Sequence, residues 1–113
     1  MKLVYVAMPY RSTCEDGVFV NICIARSTAR DVWKAGGAAI CPHLNTAFMG
    51  GVVDDATFLA ADLLILAKCD AVFAGYRWEA SEGARAEVAE AKRLGIPVFD
   101  DVEDLRAWIR GGA

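Results

Sequence analysis

Short apolar runs alternate with longer stretches of helical periodicity along the whole chain. Because their residues alternate or are nearly all apolar and often β-branched, four runs predict strands: Lys2–Ala7, Ala38–Cys41, Asp70–Gly75 and Ile96–Phe99. Strands of this kind are typical of a parallel sheet that is covered on both faces. This alternation constrains the chain to an α/β fold more strongly than any other feature.

The segments between the strands predict helices that cover the sheet. Apolar residues recur at helical spacing over about Gly17–Ala35, from a cap at Asp54 or Asp55 to Lys68, over Ser81–Leu94 and over Val102–Arg110. Met8–Thr13 and His43–Val53 are predicted loops. The order predicts three layers (α/β/α), with a flavodoxin-like or Rossmann-like parallel sheet of four to five strands.

Length and charge limit the class of protein. A chain of 113 residues forms one domain, spanning 1–113. The formal net charge of −3 and the lack of a basic cluster disfavour nucleic-acid binding. No apolar run reaches the roughly 20 residues that span a bilayer, because Asp62 interrupts the longest one, so no membrane association is expected.

The cysteines and the single histidine give no sign of a metal site. Cys14, Cys23, Cys41 and Cys69 show no CxxC spacing, and they predict reduced, mostly buried thiols in a cytoplasmic protein. His43 has no partner at ligand spacing, so no metal is expected. The glycine signatures GxGxxG and GxxxxGK[ST] are absent, which disfavours a nicotinamide or ATP cofactor of those types.

Two carboxylates lie on apolar helical stripes. Glu87 shares the face of Ala84 and Val88, and Asp62 shares the face of Leu59. A carboxylate facing a core is costly unless it is paired or lines a polar cavity, so both are site candidates. The alternatives are an exposed or salt-bridged edge position for Glu87, for example paired with Arg85 or Arg11, and a hydrogen-bonded or partly exposed position for Asp62.

Ser81 is the predicted N-cap of the helix that carries Glu87. The same hydroxyl, with the free N–H groups of the first turn, can receive a phosphate, and Gly83 allows close approach to the backbone. In a parallel α/β sheet this helix start lies beyond the carboxyl ends of the strands, where ligands bind. Capping and phosphate binding are compatible.

These residues together resemble a known family, the nucleoside 2-deoxyribosyltransferase-like superfamily. It includes nucleoside deoxyribosyltransferases and nucleoside 5′-monophosphate N-glycosidases, and the chain is especially similar to a small branch found in bacteria and phages. The likeness runs from Tyr5 to about Phe99 and rests on Tyr5-Val6-Ala7-Met8-Pro9-Tyr10-Arg11, Cys41-Pro42-His43-Leu44-Asn45-Thr46, Asp62, Asp70 and Ser81-x-Gly83-x-x-x-Glu87.

The resemblance implies a role for each matching residue. Glu87 corresponds to the nucleophile that attacks C1′ of the sugar, Asp62 to the acid that protonates or orients the leaving base, and Tyr5 to a tyrosine bonded to the nucleophile. Ser81 stands where the monophosphate hydrolases have a phosphate-binding serine, and Arg11 matches a second group on the phosphate side. A 5′-phosphorylated substrate is therefore expected.

Some positions depart from the family pattern or have two interpretations. Met8 replaces a small glycine before Pro9-Tyr10, which narrows the first loop and reshapes the base pocket. In the glycine-rich run before the nucleophile, Arg85 and Ala86 replace smaller or aromatic residues.

Several further side chains are candidate substrate contacts. Tyr76 and Trp78 either stack on a base or cover the core. His43 and Asn45 reach the same cleft, or His43 is a structural residue of the loop. The full set of expected substrate-binding residues is Met8, Pro9, Tyr10, Arg11, His43, Asn45, Trp78, Ser81 and Gly83.

The leading hypothesis is an enzyme that cleaves or transfers the N-glycosidic bond of a nucleotide or nucleoside through a glycosyl-Glu87 intermediate. The alternative is a nucleotide-binding or sequestering module without turnover, and a domain that binds no ligand is disfavoured. The apolar excess of the helix from Asp54 or Asp55 to Lys68, and the resemblance, predict a homodimer or larger homo-oligomer.

Overall fold

The computed structural model describes residues 1–111, which form four strands and five helices, one short helix more than the sequence predicts. The strands are β1 (Leu3–Ala7), β2 (Ala38–Ile40), β3 (Ala71–Ala74) and β4 (Val98–Phe99). The helices are α1 (Glu15–Lys34), α2 (Pro42–Asn45), α3 (Asp55–Leu66), α4 (Glu82–Arg93) and α5 (Val102–Gly111), and a 3-10 turn (Trp78–Ala80) precedes α4.

The four strands form one parallel sheet in the order β2-β1-β3-β4. Tyr5 of β1 pairs with Ile40 of β2 on one side and with Val72 of β3 on the other. The chain leaves β1 toward β2 and later returns to β3 on the opposite side of β1. The carboxyl ends of β1 and β3 are therefore the switch point at which a flavodoxin-like sheet opens a crevice.

Alternating side chains of the strands build two apolar layers, which confirms the three-layer prediction. Val4 and Val6 of β1 pack with α1 and α5, whereas Tyr5 and Ala7 pack with the end of α3 and with α4. This division follows from the period of two along a strand. Tyr5 is consequently held beneath the helix that carries Glu87.

The structure corrects two local predictions. The predicted loop that starts at His43 begins inside the short helix α2, where Pro42 occupies the first helical position that proline favours. Cys23 is exposed together with Cys14, whereas Cys41 and Cys69 are buried. Cys23 has apolar neighbours in sequence, but it lies off the buried stripe of α1.

Helix α3 is the least covered of the long helices. Asp54 caps it by accepting a hydrogen bond from the N–H of Thr57 at 2.8 Å. Leu66 is its one buried residue, and Leu64 is 72% exposed. Within residues 1–111 no helix is both long and apolar enough to cross a membrane.

Candidate active site

The carboxylate of Glu87 is buried at the centre of the site. Glu87 lies on the buried face of α4 and is 5% exposed. The hydroxyl of Tyr5, which projects from β1 toward α4, donates a hydrogen bond to Oε2 of Glu87. The Tyr5 hydroxyl therefore provides the polar partner that a buried carboxylate requires.

An ion-paired position of Glu87 at the edge of the fold is excluded, because both candidate arginines bond elsewhere. The guanidinium of Arg85 donates to the backbone carbonyl of Glu79 at 2.8 Å. The guanidinium of Arg11 forms an exposed ion pair with Asp55 at 3.0 Å. Neither arginine neutralises the buried carboxylate.

Burial controls the protonation of the three central groups. It raises the pKa of Glu87 to about 7, against the lowering effect of the Tyr5 hydrogen bond and with a further rise from the charge of Asp62. Burial also raises the pKa of half-buried Asp62 to about 6. Burial and then the charge of Glu87 raise the pKa of Tyr5, so its hydroxyl stays a neutral donor near neutral pH. Two carboxyl groups that titrate near neutral pH are suited to proton transfer.

Glu87 and Asp62 face the same cavity, which opens beyond β1 and α4 and has a volume of about 450 Å³. This size is in the range of small-molecule sites. The residues that line this cavity, called the main pocket from here on, include Met8, Pro9, Tyr10 and Arg11 after β1, Pro42, His43, Thr46 and Gly50 after β2, Asp55, Phe58, Leu59 and Asp62 of α3, and Ala80, Ser81, Glu82, Gly83, Ala84, Ala86 and Glu87 around α4.

The start of α4 forms one wall of the main pocket. Ser81 is its N-cap, and the Ser81 hydroxyl oxygen accepts the N–H of Ala84 at 3.2 Å. The space beside Gly83 is open, so the cavity reaches the backbone of the first turn. The positive end of the helix dipole and the free N–H groups here favour an anion.

The loop after β1 is anchored to α2 through His43. This side chain is buried, and burial lowers its pKa, so the imidazole is neutral near pH 7. Its Nε2 lies 2.9 Å from the carbonyl oxygen of Pro9, which can only accept, so Nε2 carries the proton and donates it. The ring of Tyr10 packs edge-on against His43, with centroids 5.0 Å apart.

Neither departure from the family pattern fills the main pocket. Met8 is buried against Gly75, where a Cβ would overlap the sulfur of Met8. The glycine at position 75 makes room for the methionine at position 8, and a cavity of about 450 Å³ is present with Met8 in its lining. Arg85 lies outside the pocket lining, with its guanidinium directed to the carbonyl of Glu79.

Nine of the expected residues line the main pocket, and three do not. Tyr5 lies beneath Glu87 rather than in the lining, Asn45 at the end of α2 is not in the lining, and half-buried Trp78 packs on the apolar layer under α4. Sequence reasoning did not include Phe58 and Leu59 of α3. They lie four and three residues before Asp62, so they share its face of the helix, and this spacing would have placed them beside Asp62 in the pocket.

The sheet order and the position of the main pocket define an α/β protein with a ligand cavity at a topological switch point. Residues 2–100 match the family described as Domain of unknown function (DUF7768), and the chain belongs to this family. No curated protein matches the chain by sequence.

Among solved structures, the chain is similar to a 2-deoxyribosyltransferase from the psychrotolerant bacterium Bacillus psychrosaccharolyticus. The two align with a TM-score of 0.65 and 15% sequence identity, over 92% of this chain and 90% of that chain. At this identity the likeness concerns the fold. It confirms the flavodoxin-like α/β architecture that the sequence predicts.

Proposed function

We propose that this protein cleaves or transfers the N-glycosidic bond of a nucleotide or nucleoside, with a nucleoside 5′-monophosphate as the favoured substrate. The observation that carries the proposal is the buried carboxylate of Glu87, which accepts the Tyr5 hydroxyl and faces the main pocket together with Asp62. The similarity in fold to a 2-deoxyribosyltransferase supports the same class of chemistry.

The first step transfers the sugar to Glu87. A carboxylate oxygen of Glu87 forms a bond to C1′ while the bond from C1′ to the base nitrogen breaks, and its electron pair goes to that nitrogen. Asp62 in its acid form gives a proton to the base, which leaves neutral. The products are a free base and a sugar esterified to Glu87.

The second step releases the sugar from Glu87. The oxygen of a water molecule, or the nitrogen of a second base, bonds to C1′ as the ester bond breaks, and Glu87 regains its carboxylate. The carboxylate of Asp62 takes the proton of the attacking group and returns to its acid form. Two displacements at C1′ give overall retention, and the acceptor decides between hydrolysis and transfer.

The start of α4 is the proposed phosphate site. The N–H groups around Gly83 and the hydroxyl of Ser81 can donate to a phosphate, and an aspartate at position 81 would repel it. Arg11 lines the same pocket, where its guanidinium is paired with Asp55 at 3.0 Å and has further N–H groups that can donate to the phosphate. This arrangement favours a monophosphate over a free nucleoside.

A panel of nucleosides and nucleoside 5′-monophosphates tests the proposal, with the free base measured by chromatography. The wild-type protein should release base from at least one monophosphate, and Glu87→Gln should abolish release. Glu90→Gln changes a carboxylate on the same helix that lies outside the main pocket and is paired with Arg93, and this control should keep the wild-type rate. If no compound loses its base while thermal shifts report nucleotide binding, the protein is a binding module instead.

A further inference from the structure

A second cavity lies beside the main pocket and continues from it. It has a volume of about 420 Å³ and lies between the first half of α1 and the segment after β3. This cavity, called the side groove, has Asn21, Tyr76 and Arg77 in its wall. The two cavities share four lining residues, which are Met8, Pro9, Arg11 and Ala80.

The side groove is positively charged in a protein of net negative charge. Its lining contains the guanidinium groups of Arg11 and Arg77 and no aspartate or glutamate, although the chain as a whole has a formal charge of −3. Arg77 forms no ion pair with any residue of 1–111. Arg11 is paired with Asp55, which lies outside the groove lining, so Arg77 is the unpaired cation of the groove, and a guanidinium in a concave site favours a phosphate group.

The backbone presents Arg77 in a conformation that most residues avoid. Its φ is 63° and its ψ is 25°, in the left-handed region. Two turn hydrogen bonds hold it there, from the N–H of Trp78 to the carbonyl of Gly75 and from the N–H of Ala80 to the carbonyl of Arg77, each at 3.1 Å. A residue with a Cβ is kept in this region only when its surroundings fix it, and such positions concentrate at ligand sites.

The side groove begins where the proposed phosphate site ends. Ala80 lines both cavities and immediately precedes Ser81, which holds the 5′-phosphate in the proposed function. A group attached to that phosphate can extend along Ala80 and Arg11, which line both cavities, into the groove that Arg77 lines. Tyr76 also lines the side groove and is 74% exposed, so its ring is available for stacking on a further ring.

We propose that the side groove binds the second phosphate of a ligand with a 5′-pyrophosphate, either a nucleoside diphosphate or a pyrophosphate-linked dinucleotide. The proposal rests on the placement of the first phosphate at Ser81. Arg77 and Arg11 flank the second phosphate, and the groove leaves room for a second nucleoside attached to that phosphate.

Calorimetric titration tests this inference in the Glu87→Gln background, where no turnover is expected. The ligands are matched nucleoside mono- and diphosphates of each common base, together with diadenosine pyrophosphate. Diphosphates should bind at least about fivefold tighter than the matched monophosphates. This is the gain in affinity expected from one charge-assisted hydrogen bond at an exposed site. This ratio should shrink as the salt concentration rises.

Variants at position 77 assign the preference to the arginine. Arg77→Gly removes the guanidinium and suits the positive φ, so folding is retained and the affinity ratio should fall to about one. Arg77→Lys should keep part of the ratio. Arg30→Ala removes an equal charge from the exposed part of α1 outside both cavities, and it should leave the ratio unchanged.

The outcomes separate this inference from the proposed function. Three results overturn the inference, even if monophosphates lose their base. They are equal affinities for diphosphates and monophosphates in the Glu87→Gln protein, an affinity ratio that Arg77→Gly does not change, and no measurable binding of any ligand. An Arg77-dependent ratio supports the inference even if the wild-type protein releases no base. The comparison of ADP with diadenosine pyrophosphate then shows which of the two ligand types the groove prefers.

Discussion

Replacing Glu87 with Gln should stabilise the fold, and the gain should depend on pH. Burial raises the pKa of this carboxyl from 4.5 to about 7. Since one pKa unit corresponds to about 1.4 kcal/mol, the ionised carboxylate costs the folded state about 3 kcal/mol. Gln keeps the size of the side chain and an oxygen that accepts the Tyr5 hydroxyl, but it carries no charge.

The sign of the pH dependence follows from the raised pKa. Below about pH 4.5 Glu87 is neutral in both the folded and the unfolded chain, so Gln brings little gain. Between 4.5 and about 7 the unfolded chain loses its proton first, and the wild-type protein loses stability relative to Glu87→Gln. Above about pH 7 the full difference of about 3 kcal/mol is reached and stays constant.

Urea unfolding near pH 5 and near pH 8 measures this difference. With a slope of about 1–3 kcal/mol per molar urea, Glu87→Gln should raise the midpoint by about 1–3 M near pH 8. Near pH 5 the increase should be much smaller. The control is Glu90→Gln on the same helix, because the hydrogen bond from Arg93 lowers the pKa of Glu90 and removing it should be slightly destabilising near pH 8.

Two results refute the reasoning. One is a Glu87→Gln protein that is no more stable than the wild type near pH 8. The other is an equal gain at both pH values, which would show that packing rather than charge explains the change. Either result would mean that the Glu87 carboxylate is well solvated or that its charge is fully balanced by neighbouring groups. The raised pKa would then no longer support a reactive role for Glu87.

Four further predictions test the site and the assembly. Tyr5→Phe removes the hydroxyl that lowers the pKa of Glu87, so the acidic limb of the pH–rate profile should move up by about one pH unit. If the limb does not move, Tyr5 does not set the pKa of Glu87. Ser81→Asp keeps an N-cap but adds a negative charge, so kcat/KM should fall at least about tenfold more for monophosphates than for nucleosides, whereas equal losses contradict the phosphate site. Gly75→Ala should lower the free energy of unfolding in urea by about 1–3 kcal/mol in the wild-type background but by much less in Met8→Ala, and an equal cost in both backgrounds would show that the two residues do not touch. The exposed apolar surface of α3 predicts a homodimer, and a monomeric mass by light scattering contradicts it.

The pairing of Tyr5 with Glu87 shows where sequence reasoning reaches its limit. The helical stripe of Ala84, Val88 and Ala91 places Glu87 on the buried face, since a period of 3.6 residues is a local property. The partner of the carboxylate comes from β1, 82 residues away, and it was expected only from a family resemblance. The spacing of residues along one helix contains no information about a side chain that reaches it from another element.

Asp70 and Trp78 illustrate the same limit. Asp70 belongs to the motif set of the resemblance, but its carboxylate accepts the N–H of Leu3 at 2.8 Å, at the end of the sheet opposite the main pocket. Trp78 follows β3 by only a few residues, as a substrate contact can, and the turn directs it to the apolar layer. Both positions depend on how the strand ends and the turn after β3 pack in the fold, and the order of residues in the sequence does not give this packing.

The sequence by itself determined the order of strands and helices, the parallel sheet and the candidacy of Glu87, Asp62 and Ser81. These features follow from periodicity, capping and the cost of burying a charge, which act within a few residues. The tertiary structure alone decided the sheet order, the bond between Tyr5 and Glu87, the accommodation of Met8 by Gly75 and the side groove. Those features are contacts between distant segments, and only the packing of the helices on the two faces of the sheet brings the segments together.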